Sequence, residues 1–221
     1  MYYNIGRSDD LEVIGHYPQT SLKKGYNPSL PDSHWAVKPD SFPNFIPNLE
    51  LELHKDANAT DYLHFGDISG IIVSGKFRAI LKKFNLPPHA FYPIKVYHKG
   101  ALLEYFWFHY IIDIWKYVDL ENSSAQIVKK FEREIEEIIS IPNLEEVKEY
   151  KKSLGFERDL KLNKIYFNKD YPSFDVIGLN GIEFIPRLFS HNLLNALRES
   201  SITGFTYMFL DKISFHSKIQ E

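Results

Sequence analysis

The stretch EYFWFHYIIDIWKYVD, residues 104–119, decides how this chain is read, because it places seven aromatic rings in sixteen positions. As a strand it puts Tyr105, Trp107, His109, Ile111, Asp113 and Trp115 on one face, and Phe106, Phe108, Tyr110, Ile112, Ile114 and Lys116 on the other. Both faces are apolar from 105 to 112. That fits a central strand buried on both sides, covered on one of them by a helix such as 76–85. An aromatic platform for bases or sugars would keep one face polar and bring basic residues with it. Trp115 and Tyr117, where the strand leaves the core, are the part still open to a partner surface.

A spanning helix is excluded for this stretch. No run free of Asp, Glu, Lys and Arg exceeds 11 residues, against about 20 for a membrane helix. The 26 Lys and Arg against 29 Asp and Glu give no basic excess of the kind that nonspecific phosphate binding requires, so neither a membrane nor a nucleic acid is expected as partner. The chain has no cysteine, which removes disulfides, thiolate zinc sites and a cysteine nucleophile and fits a cytoplasmic address. The opening MYYNIGRSDD lacks the basic and apolar regions of a signal peptide, so no leader is expected.

Outward from the aromatic strand, ISGIIVS (68–74) reads as a strand. KFRAILKKFN follows with Phe77, Ile80, Leu81 and Phe84 at helical spacing and Ser74 as N-cap. LELELH (49–54) alternates in period two. KIYF (164–167), DVIGL (175–179), IEFI (182–185) and GFTYMFL (204–210) read as further strands. Asn143 as N-cap, Glu146 three residues on and Gly155 beyond the end predict a helix over 144–154. Segment 126–139 fits a helix, which is slightly preferred, and also a polar edge hairpin. The fold class is therefore α+β, a mixed, largely antiparallel sheet with a few amphipathic helices. It is read as one domain over 1–221, with a proline-rich region of turns and edge strands at 1–66 and the main body at 67–221. The segments 74–93 and 190–209 align without gaps and match at four apolar positions, which suggests two similar strand-helix-strand units, with convergent patterning as the alternative.

Motifs for chemistry are sparse. There is no phosphate-binding glycine loop, dinucleotide fingerprint, nucleophile elbow or zinc-protease motif. Asp61, His64 and Asp67 have metal-like steps of three but sit in a loop, so a polar approach to a strand is the better reading. His109 and Asp113 share a strand face about 13 Å apart, too far for a hydrogen bond. Glu104, Asp113 and Asp119 could be drawn as paired carboxylates, though acids at strand ends ordinarily face water. The run Glu132, Glu134, Glu136 and Glu137 reads as a solvated face that gains interest only with a basic partner.

The order TDYLHFGDISGIIVSGKFRAILKKFNLPPHAFYPIKV, an aromatic strand, WKYVDLENSS, and a late strand and helix ending in SSITGFTYMF resembles bacterial immunity proteins encoded beside polymorphic toxins. The nearest groups are those called immunity protein eleven and immunity protein forty-three. The features that carry the resemblance are Thr60-Asp61, the GIIVS strand end with the helix from Phe77 to Phe84, Asp119 with Ser123-Ser124, and Ile202-Thr203-Gly204-Phe205. It covers roughly 60–215, more weakly the tyrosine- and proline-rich N-terminus, and departs most in the charged middle. It implies a non-enzymatic protein that binds a cognate toxin domain and blocks it by occlusion, and the residues agree in offering no motif for a nucleophile, metal or cofactor. For a basic nuclease toxin, Glu132, Glu134, Glu136 and Glu137 would be the first contacts to consider; Trp115 and Tyr117, at the exit of the aromatic strand, are separate candidates. The alternatives are an enzyme in which Asp113, His109 and Asp61 converge in one pocket, or a structural or regulatory module marked by a persistent homo-oligomer interface.

Overall fold

In the computed structural model, which describes residues 1–66 and 68–215, Tyr105 to Tyr110 are buried in unbroken succession. In chain order the elements are β1 (Tyr2–Arg7), α1 (Leu11–Ile14), β2 (Thr20–Leu22), β3 (Glu50–Leu53), β4 (Tyr62–Leu63), β5 (Ile71–Ser74), α2 (Gly75–Leu81), β6 (His89–His98), β7 (Ala101–Tyr110), β8 (Ser124–Lys129), β9 (Ile135–Ser140), α3 (Leu144–Ser153), β10 (Arg158–Phe167), β11 (Val176–Leu179), β12 (Ile185–Ser190), α4 (His191–Glu199), β13 (Phe205–Leu210) and β14 (Ile213–Phe215). Short 3-10 turns lie at His34–Ala36 and Ile114–Tyr117. The fold is α+β, with three mostly antiparallel sheets, in which β3 pairs with β6 and β10 with β14 in parallel. Two compact units share the chain. One comprises Met1–Asn4, Asp113–Ser190 and the chain from Phe209; the other comprises Ile5–Ile112 and His191–Met208.

The second of these units is built on a six-stranded sheet ordered β2-β3-β6-β7-β5-β4, so the aromatic strand is central as expected. Lys99 and Gly100 both take positive φ (51° and 84°), the twist-matched geometry of a two-residue hairpin turn between β6 and β7. On one face Tyr105 and Trp107 join Leu49, Leu51, Leu53, Ile94 and Val96 in the core. On the other, Phe91 stacks on Phe108 with centroids 4.8 Å apart, and the Arg78 guanidinium of α2 lies 4.0 Å over the Phe106 ring. The Ser74 hydroxyl caps α2 by accepting from Phe77 N at 3.2 Å. The helix ends at Leu81 rather than 85. β7 also ends earlier than the alternation suggests: Ile111 N donates to Pro88 O at 2.9 Å, and Ile114–Tyr117 wind into the 3-10 turn. The two-face assignment therefore fails beyond Tyr110.

The first unit holds the sheet β14-β10-β8-β9. Here 126–139 makes the hairpin and not the slightly preferred helix, because Ala125, Ile127 and Val128 are buried on β8 while β9 pairs along its flank. Helix α3 forms as read, with Asn143 Oδ1 accepting from Glu146 N at 2.8 Å and Gly155 at φ +70° just past its end.

Two further expectations are corrected. Residues 182 and 183 of IEFI lie in a bend, Phe184 after them is exposed, and the strand begins at Ile185. β1, inside the proline-rich region, is no edge element: it lies between β12 and β13 in a four-stranded sheet, with Tyr2 opposite Ser190 and Asn4 opposite Leu188.

Both strand-helix-strand segments form, and they begin alike. Ser74 donates its N–H to Asp61 O (2.8 Å) and its hydroxyl to Asp61 Oδ1 (2.6 Å). Ser190 does the same to Asp175, at 2.9 and 2.5 Å. In each case the aspartate opens a short strand antiparallel to the one that the serine closes. The likeness thus goes beyond apolar spacing.

Candidate partner-binding surface

The residues that the sequence singled out separate into structural and accessible groups. Asp61 is structural: its carboxylate accepts from the Ser74 hydroxyl and from both the N–H and hydroxyl of Thr203, at 2.6, 3.1 and 3.2 Å. Beside it Thr60 accepts from Gln19 Nε2 at 2.9 Å, donates to Tyr62 O at 2.8 Å and offers its carbonyl to the Tyr105 hydroxyl at 2.6 Å. Asp119 ties its own turn, with Oδ2 accepting from Asn122 Nδ2 at 2.9 Å, and Ser123 Oγ accepts from Tyr166 N of β10 at 3.0 Å. Three of the features that carry the resemblance are therefore junctions of the scaffold. Asp67 lies outside the described residues. Among the described residues, no group of three or more His, Asp or Glu side chains is arranged to hold a metal ion.

His109 is fully buried among Phe42, Tyr92 and Trp107. Neither ring nitrogen meets hydrogen-bond geometry with a partner. Burial pushes the imidazole pKa below its ordinary value, partly opposed by the Pro39 backbone. Asp61 is engaged as described, and Asp113 is an exposed residue of the other unit. The His109 imidazole therefore has no carboxylate partner among the described residues. A depressed histidine pKa makes the unfolded state the better proton acceptor, so stability falls as pH drops below about 6.5, until the folded-state pKa is reached. We expect His109→Leu to flatten this acid limb, by up to about 1.4 kcal/mol per pH unit in that window. Urea melts at pH 7.5 and 5.5 would check it; parallel losses in both proteins would contradict it.

Trp115 and Tyr117 are half-buried. The indole N–H of Trp115 donates to Asn180 O at 2.6 Å, and the Tyr117 ring packs edge-on against Tyr171 at 5.7 Å. The four glutamates, by contrast, surround the β8–β9 hairpin. Glu134 pairs with Lys129 at 2.9 Å, and Glu136 takes both Nε and Nη2 of Arg158 at 2.6 and 3.3 Å. Arg158 accordingly holds the Glu136 carboxyl below its usual range. Glu132 and Glu137 form no ion pair among the described residues.

What the charge pattern concealed is apolar. Phe131 and Phe156 are 68% and 77% exposed, with ring centroids 5.8 Å apart at the hairpin tip. Lys130 N donates to Glu157 O at 2.8 Å and holds the two segments together. Ile135 and Ile138 of β9 are more than half exposed. Next to the end of β9 an open groove of about 750 Å³ runs along α3, with Ile139, Pro142, Val147 and Tyr150 among its lining. Its charged lining is Glu145, Glu146 and Glu149, of which Glu145 pairs with Lys148 at 3.1 Å and Glu149 with Lys152 at 2.6 Å. Exposed apolar groups contiguous with polar ones are the usual signature of a protein contact surface. The sequence signal was the set of isoleucines inside the acidic run, which fits a helix face as well as it fits a hairpin.

Residues 2–164 match the family described as Immunity protein family (Imm11). The matched span includes the N-terminal region that the resemblance covered only weakly and excludes Ile202-Thr203-Gly204-Phe205. No curated protein matches the chain.

Proposed function

We propose that this chain, which belongs to the immunity protein family, binds a cognate toxin domain and neutralises it by covering the surface through which the toxin acts. The match over residues 2–164 carries this reading, and the β8–β9 hairpin and α3 groove lie inside it. Occlusion needs no chemistry from the inhibitor. It needs an interface of about 1,600 Å² in all, anchored by apolar or aromatic groups and ringed by charge. Phe131, Ile135, Ile138, Tyr150 and Phe156 supply exposed anchors within one compact unit, and Glu132, Glu137 and the groove glutamates supply the rim. In this reading the encounter is cytoplasmic, the address that a chain without cysteine suits. No helix among the described residues is long and apolar enough to cross a membrane.

Co-expression with the toxin domain encoded by the neighbouring gene tests the proposal. Cells carrying this protein should survive that toxin and remain sensitive to unrelated ones. Death despite soluble, folded protein would contradict it.

A further inference from the structure

We propose that the outer face of α2 docks an acidic segment of the toxin, with Arg78 taking one of its carboxylates and Lys82 and Lys83 lying alongside. This inference rests on the immunity reading and adds a contact of opposite charge, in the other compact unit from the hairpin. α2 buries Phe77, Ile80 and Leu81. Its other side carries Lys76, Arg78, Ala79 and Lys82. Lys82 keeps helical backbone and Lys83 N donates to Ile80 O at 2.9 Å, so the winding continues past Leu81 and adds Lys83 to that side. None of these four cations forms an ion pair among the described residues, and Lys76 Nζ reaches only the Ser201 carbonyl, at 3.4 Å. Arg78 rests over the Phe106 and Phe91 rings at 4.0 and 5.4 Å, and its buried Nε has no hydrogen-bond partner. The Glu104 carboxylate lies beside Gly75 at the start of the helix and forms no ion pair with Arg78.

The fold does not account for this pattern. Arg78 and Lys82 stand at i,i+4, where like charges repel. Lys76 occupies the first turn, which has no acidic residue and where the helix dipole disfavours a cation. A partner carboxylate would relieve both. The Arg78 guanidinium, seated on aromatic rings that attract it without neutralising it, offers the planar fork that matches a carboxylate bidentately. Lys82 and Lys83 are exposed and extend the attraction to neighbouring acids. A nucleic acid is disfavoured: the chain has 26 Lys and Arg against 29 Asp and Glu, and the patch runs only about 10 Å along the helix, short for tracking a phosphate backbone. A symmetric contact between two copies would set cation against cation.

Binding of the intact protein to an inactivated form of the neighbouring toxin domain, measured at several salt concentrations, reads this directly. Lys82→Glu/Lys83→Glu should weaken the Kd by about tenfold, chiefly through slower and less salt-sensitive association. Its melting curve should match wild type, because both side chains are exposed. Arg78→Lys keeps the charge and loses the fork, and should weaken the Kd by about tenfold through faster dissociation. An unchanged Kd for either variant overturns the inference while leaving the proposed function standing. So does wild-type binding to single-stranded DNA or to anionic lipid vesicles at physiological salt that the double variant loses, or self-association without toxin that it abolishes. Absence of any wild-type complex contradicts the proposed function itself, and the inference with it.

Discussion

Gly204→Ala is expected to lower the melting temperature by roughly 10 °C, corresponding to about 3 kcal/mol in a chain of this size. Gly204 has φ +91°, and a Cβ there would stand 2.4 Å from Thr60 Oγ1, 2.4 Å from Tyr62 O and 2.6 Å from Thr60 Cβ. None of these can retreat easily. The Thr60 hydroxyl is bonded to Gln19 and Tyr62, and its carbonyl to Tyr105. Gly204 O in turn accepts from Ser8 N at 3.0 Å. Gly100→Ala is the control, because it has a similar φ of +84° with no atom within 4 Å. It should cost only the left-handed backbone penalty, about 1 kcal/mol. Thermal melts of the two variants decide the point, and equal shifts would mean that the Thr60–Asp61 junction is not the tight contact described.

Trp107→Ala should be more damaging still, costing about 3–5 kcal/mol. Its side chain is 1% exposed at the centre of the six-stranded sheet. The indole N–H donates to Ser69 O at 2.6 Å, and its ring lies 5.8 Å from that of Tyr92 and 5.7 Å from that of His109. Truncation leaves a cavity that strands paired on both sides cannot close, and it strands the Ser69 carbonyl. Because the folded state is worth only about 5–15 kcal/mol, the variant should lose much of its urea midpoint. Trp35→Ala, at a side chain 61% exposed in a 3-10 turn, should change stability by no more than about 0.5 kcal/mol. A Trp107 variant as mild as the Trp35 variant would refute the assignment of the aromatic strand to the core.

Side-chain periodicity revealed the sheet centre because Tyr105 to Tyr110 have no polar face to give to water. It failed from Ile111 onward, where a backbone bond to Pro88 and the turn at Ile114 override alternation. β1 was hidden by its surroundings: the prolines of the first 66 residues mark turns, yet none falls within Tyr2–Arg7. The hairpin at 126–139 was ambiguous because Ile127, Phe131, Ile135 and Ile138 suit a helix face while the apolar start and polar continuation of the segment also suit an edge hairpin, and only pairing with β10 decides it. Local signals such as Ser74, Asn143 and Gly155 could be read because a cap acts within a few residues. The Asp61–Thr203 junction could not, since its partners are 142 positions apart. The candidate surface was half legible. Its glutamates stood out as a run, while Phe156 and the α3 groove join them only in the folded unit.

The most direct measurement titrates a fixed amount of the purified neighbouring toxin domain with this protein and follows residual toxin activity. A binder that occludes its target predicts a linear loss that reaches completion at a one-to-one ratio and is independent of preincubation time once the complex has formed. Undiminished activity in excess protein, or a time-dependent loss at substoichiometric amounts, would contradict the account.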